Sequence, residues 1–218
     1  MEFENIRNNN PHVIKYLEVR KIHQEVMNYL NNYCDNQQME PNKLIESIKD
    51  ELESKCLSLD FDNRLDNQIY ADLLFYPHSS IIPSATELAL TKHLIDHNLL
   101  MLEAMKDSQI GFYEIIKRDD INAITTLKNI ITKEIIELTD LNMGSFGHGT
   151  EFYYFLRIIK YQEINFQTGM LMTFAKNGTT QAWIKRHRRD FMTNQSAKII
   201  IDLFNFYQKN GNTHRYFE

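Results

Sequence analysis

Hydrophobic positions follow two rhythms along this chain, and the change between them falls near residue 110. From Pro11 to Asn31, the residues Val13, Ile14, Leu17, Ile22, Val26, Met27 and Leu30 recur at roughly helical spacing, and Pro11 suits a first turn. A polar break from Cys34 to Gln38 precedes Pro41. Leu44, Ile45, Ile48, Leu52 and Leu57 then predict a second amphipathic helix. After the acidic stretch 60–67 comes the strongly apolar Ile69-Tyr-Ala-Asp-Leu-Leu-Phe-Tyr76. Ser84, with Glu87 three residues on, has the form of a reciprocal capping box and predicts a third long helix from Ala85 to about Asp107. Its apolar residues lie on nearly every side, which predicts a central position.

Beyond residue 110 the runs shorten and turn to β-branched and aromatic residues: 111–117, 123–129, 134–138, 152–159 and 165–174. Such runs, separated by polar turns, predict five strands. Residues 118–122 and 131–133 read as hairpin connections, and 139–150 as a longer link. Helical spacing returns over 181–192 and again over 196–208. All seven glycines lie at or after residue 111, which fits a first half made of helices. The expected fold is therefore α+β. It comprises a helical region over 1–110, a small five-stranded antiparallel barrel of SH3-like or OB-like form over 111–175, and two basic C-terminal helices over 176–218 packed on the rest.

Within this frame Phe112-Tyr-Glu-Ile-Ile116, Asp119 and Thr126-Leu-Lys-Asn-Ile-Ile-Thr-Lys-Glu134 form a strand-turn-strand pattern, and Ile69-Tyr-Ala-Asp-Leu-Leu-Phe75 sets an aspartate among aromatics upstream of it. Residues 69–174 thereby resemble a group of uncharacterised bacterial proteins with a helical N-terminal half and a small β-barrel, some of which carry a C-terminal SEC-C zinc motif. The chain departs from that pattern at Asn129 and Lys133, where aspartate and glycine are favoured, and the cysteine-rich tail is missing. The resemblance implies an architecture, with no metal function and no activity attached.

Charge changes the picture once it is divided by region. The net of −5 hides 10 Lys/Arg against 18 Asp/Glu in residues 1–110, six against eight in 111–175, and eight against three in 176–218. A basic element sits on an acidic body. Its centre is Trp183-Ile-Lys-Arg-His-Arg-Arg-Asp-Phe191, where Lys185, Arg186, His187, Arg188 and Arg189 accompany Trp183. Guanidinium groups neutralise phosphates and aromatic rings stack on bases, so this pattern is a candidate nucleic-acid surface, preferably for RNA. Phe152-Tyr-Tyr-Phe155 alternates across a strand, placing one pair in the core. Tyr153, with Arg157, is the candidate extension of the same surface on the barrel. The plainer reading is a solvated helix face neutralised by the chain's own carboxylates.

Other constellations point less far. His93 and His97 lie four apart, a chelating spacing on a helix, but no glutamate follows His93 and no third ligand is evident. Asp60, Asp62 and Asp66 have Arg64 and Leu65 where a calcium loop needs oxygen and glycine. Gly144-Ser-Phe-Gly-His-Gly149 lacks the Lys-Ser/Thr of a phosphate loop, and nothing identifiable orients His148 against Ser145. Cys34 and Cys56 are the only cysteines and are expected to be reduced. The N-terminal ten residues are polar and no long apolar run occurs, so a cytoplasmic protein is expected. Abundant Asn, Ile and Lys fits an AT-rich bacterial or phage genome.

The reading that follows is a non-enzymatic accessory protein of a bacterium or phage that binds RNA or a ribonucleoprotein, with anti-defence inhibitors of CRISPR complexes as one class that would fit. The alternative is a protein-protein regulatory module whose acidic face mimics nucleic acid. A metal-dependent nuclease or hydrolase built on His93 and His97 comes third. Neither a cofactor nor a membrane is expected, an acidic or nucleic-acid-binding protein is the other partner considered, and a homodimer stays open.

Overall fold

The computed structural model describes residues 9–37, 46, 64–78, 83–95, 98–141, 143, 151–193 and 196–210. Helix α1 (Pro11–Asn36) starts where expected, and the Asn10 side chain caps it by accepting from the His12 N–H at 2.8 Å. It buries Val13, Tyr16, Val19, His23, Val26, Leu30 and Cys34, while Ile14 and Leu17 face solvent. The buried stripe is thus rotated relative to the one predicted. Of the expected helix over 41–57 only Glu46 lies within the described residues. The apolar run after it forms helix α2 (Arg64–Phe75), with Ile69, Leu73, Leu74 and Phe75 in the core.

The predicted single helix from Ala85 to Asp107 is two. The Ser84–Glu87 capping box opens α3 (Ala85–Thr91), and α4 runs over Leu99–Lys106. Between them His93 (φ 50) and Asn98 (φ 61) adopt left-handed backbone, which a continuing right-handed helix does not admit. Strands β1 (Gln109–Asp119), β2 (Ile124–Asn129), β3 (Ile135–Thr139), β4 (Phe152–Tyr161) and β5 (Ile164–Ala175) follow, then α5 (Gly178–Met192) and α6 (Ser196–Asn210).

The strands pair antiparallel in the order β3-β2-β1-β4-β5, with Phe112 opposite Phe155 and Tyr153 opposite Phe174. Register shifts at Ile115/Lys117 in β1 and Leu156/Ile158 between β4 and β5 curl the sheet, and Gly169 (φ +118) supplies the backbone that the second shift needs. On the inner face Tyr113, Ile115, Leu127, Leu138, Tyr154, Leu156 and Ile158 form one cluster. On the outer face Phe112, Phe155, Phe166 and Phe174 pack with all six described helices into the main core.

The sheet does not close, which corrects the expectation of a barrel. The edge strands β3 and β5 form no ladder with each other. The two edges meet where the Asn165 side chain donates to the Glu137 carbonyl at 2.9 Å. Helix α1 bridges both sides of this seam. His12 Nε2 lies 2.9 Å from Thr139 Oγ1 on β3, Lys15 pairs with Glu163, and Arg20 donates to the Gln167 carbonyl on β5 at 2.8 Å.

Gly111 is required by this curl, because a Cβ there would sit 2.8 Å from the Tyr113 ring and 2.9 Å from Asn129 Nδ2, and Tyr113 is buried. Gly111→Ala is expected to cost about 1–3 kcal/mol through overpacking. Thermal denaturation checks this, and an unchanged midpoint would show that the ring can yield.

A polar array runs through the main core. Arg157 Nε and Nη2 donate to the two oxygens of Asp72, each at 2.8 Å, with both side chains 1% exposed. Arg157 Nη1 reaches Ser108 Oγ at 3.2 Å, and the guanidinium carbon lies 5.2 Å from the Tyr76 ring centroid. The Tyr76 hydroxyl is 2.8 Å from His23 Nε2. Burial, with the Arg20 charge adding to it, pushes the His23 pKa from 6.5 down to about 3. The unfolded chain therefore takes up a proton that the folded protein refuses. His23 contributes its full stability above roughly pH 6.5 and loses it as pH falls toward about 3, by at most about 1.4 kcal/mol per unit. His78, also buried and shifted down by burial, adds the same sign. In urea unfolding the wild type's advantage over His23→Gln should shrink across that window; a constant advantage would contradict the assignment.

Candidate nucleic-acid interface

Helix α5 owes its position to its apolar stripe. Asn177 caps it by accepting from the Thr180 N–H at 2.9 Å, and Thr180, Trp183, Ile184, His187 and Phe191 recur at three- and four-residue intervals toward the sheet. The Trp183 ring lies 6.0 Å from Phe112, 5.4 Å from Phe206 and 4.2 Å from His187. Phe191 meets Phe112 at 5.8 Å and Phe155 at 6.3 Å. Anchoring this face to β1, β4 and α6 fixes the opposite one in water.

On that opposite face stand Lys185, Arg186, Arg188 and Arg189, all exposed. They occupy two adjacent rows, 185/188 and 186/189, within little more than one turn. Among the described residues no carboxylate lies within ion-pair distance of any of the four. The ion pairs of this helix pair run underneath instead. His187 Nδ1 is 3.2 Å from Asp190 Oδ2 and 3.9 Å from Asp202 Oδ2, and Lys198 Nζ is 3.2 Å from Asp190 Oδ2. Partial burial would raise the Asp190 carboxyl, but hydrogen bonds from Lys198 and His187 outweigh it and hold the group below the usual range. Burial raises Asp202.

The remaining residues proposed from the sequence do not join this face. Trp183 is buried in the aromatic core, so it offers no ring to a base, and His187 is turned inward between Trp183 and the two aspartates. Arg157 is locked on Asp72 in the interior and cannot contact a ligand. Tyr153 is half-buried on the outer face of β4, with Lys176 Nζ 5.3 Å above its ring. Lys176 in turn pairs with Glu114 at 3.2 Å, and Lys128 with Glu114 at 3.5 Å. That second set of cations is paired through one shared carboxylate. Both aromatic pairs of 152–155 are packed: Phe152 and Tyr154 in the inner cluster, Tyr153 and Phe155 in the outer core.

The chelation idea loses its helix, since His93 sits in the turn after α3; His97 lies outside the described residues, as do Asp60, Asp62, Cys56 and residues 144–149. Asp66 is buried in α2. Among the described residues no group of three or more His, Cys, Asp and Glu is arranged to hold a metal ion. Nor is any helix among them long and apolar enough to cross a membrane. Cys34 is a free, buried thiol whose pKa burial raises to about 11.

The buried Arg157–Asp72 pair was not anticipated, although each residue is a lone charge inside an apolar run, which is the signal that a partner must exist. No curated protein and no solved structure matches the chain. Residues 11–216 match the model of a family of unknown function, DUF7986, so nearly the whole sequence, from the first helix through the basic pair at the end, belongs to that family.

Proposed function

We propose that the protein is a non-enzymatic accessory factor that binds RNA or a ribonucleoprotein, holding the phosphate backbone on the outer face of α5. One observation carries this reading: Lys185, Arg186, Arg188 and Arg189 stand exposed together on an anchored helix, with no carboxylate within ion-pair distance among the described residues. Charges that served only as internal struts would instead sit in ion pairs, as Lys198 of α6 does with Asp190 of α5. The acidic remainder of the chain repels a polyanion, which confines binding to this face and fixes its orientation. Purification at low salt should bring nucleic acid with the protein. Fluorescence anisotropy against labelled RNA should give an affinity that falls steeply with salt. Failure to bind RNA at low salt would end the reading.

A further inference from the structure

We infer that the α5 face takes double-helical nucleic acid in preference to single strands and reads no base sequence; this rests on the reading above and specifies its ligand. Sequence-tolerant single-strand binding combines a basic groove with rings on which successive bases stack. Here, among the described residues, the rings packed around α5 are withdrawn. Trp183 is packed between His187 and Phe206, Phe191 lies against Phe112 and Phe155, and Tyr153 is roofed by Lys176. No side chain of the exposed rows, which run Gln181, Lys185, Arg188, Met192 and Ala182, Arg186, Arg189, Thr193, carries a ring.

What remains is charge in fixed positions. A surface limited to phosphate contacts gains most where phosphates are densest, and the duplex carries one charge per about 1.7 Å of axis. Four contacts give a dependence of log affinity on log salt of about −3.6 for a duplex and about −2.8 for a single strand. From equal affinities at about 1 M salt, that difference favours the duplex about sixfold at about 0.1 M. Phosphate contacts position a ligand without reading its bases, so changing the sequence at constant length should leave affinity unaltered.

The test is anisotropy of the full chain with a short labelled RNA duplex, with one of its strands alone, and with a second duplex of unrelated sequence. The expected result is several-fold tighter binding of both duplexes than of the strand, equal between the two, and lost in the Arg186→Ala/Arg188→Ala/Arg189→Ala variant. Equal or tighter binding of the single strand, or discrimination between the two duplexes, overturns the inference while leaving RNA binding intact. Binding that survives the triple substitution overturns it as well, because the ligand is then held elsewhere. Absence of binding to any of the three refutes the parent reading.

Discussion

Asp72→Ala is expected to remove about 3–5 kcal/mol of stability, because it leaves the Arg157 guanidinium charged in the core with only Ser108 and the Tyr76 ring beside it. Arg157→Ala should cost a similar amount by stranding the Asp72 carboxylate. Against a typical total of about 5–15 kcal/mol, either change can unfold much of the population. The damage comes from the unpaired partner more than from the lost pair, so Asp72→Leu with Arg157→Met should cost far less than the two single losses summed. Urea unfolding of the wild type, the two single alanine variants and the Leu/Met double variant measures this. Single losses below about 1 kcal/mol, the size seen for solvated pairs, would mean that water reaches the site. The pair ties α2 to β4 and, through Ser108, to the entry of β1, so its failure should loosen the helical layer from the sheet.

Replacing Arg186, Arg188 and Arg189 together by alanine should have the opposite profile: a large loss of binding with little loss of fold. The three side chains are exposed, α5 is anchored by Trp183, Ile184 and Phe191 on its other side, and alanine is a good helix former. Reducing four phosphate contacts to one takes the duplex salt dependence from about −3.6 to about −0.9. Between about 50 and 200 mM salt the wild type should therefore weaken about 150-fold and the variant only about threefold to fourfold. The unfolding free energy should stay within the range usual for surface changes, about ±0.5 kcal/mol. A variant that keeps the wild-type salt slope would place the binding surface away from α5.

These two outcomes separate charges that were indistinguishable as letters. Arg157 and Arg186 both lie beside aromatic residues and both read as ligand contacts, yet one is sealed in the core and the other faces water. A lone arginine in the run Phe152–Ile159, like the lone aspartate in Ile69–Tyr76, announces a buried partner, but the two are 85 positions apart and nothing local says that they meet. Trp183 is the same case: helical spacing from Ile184 and Phe191 assigns it to an apolar face, and only the sheet beneath converts that face into core. The aromatic pairs of 152–155 alternate as a strand requires, and both are covered because the sheet is packed on its two sides.

By itself the sequence determined the kind of most elements and nearly where they start: α1 at Pro11, the capping box at Ser84, five strands within a few residues of their bounds, and two final helices with positive charge concentrated on the first. These are local properties, set by periods of 3.6 and 2 and by caps a few residues long. Tertiary structure alone decided that the sheet stays open with α1 across its seam, that left-handed backbone at His93 and Asn98 divides one apolar stretch into α3 and α4, that Arg157 turns inward, and that four cations of α5 are left in water. Each of those outcomes depends on which distant surfaces meet once the chain has closed on itself, and a residue's neighbours in sequence do not carry that information.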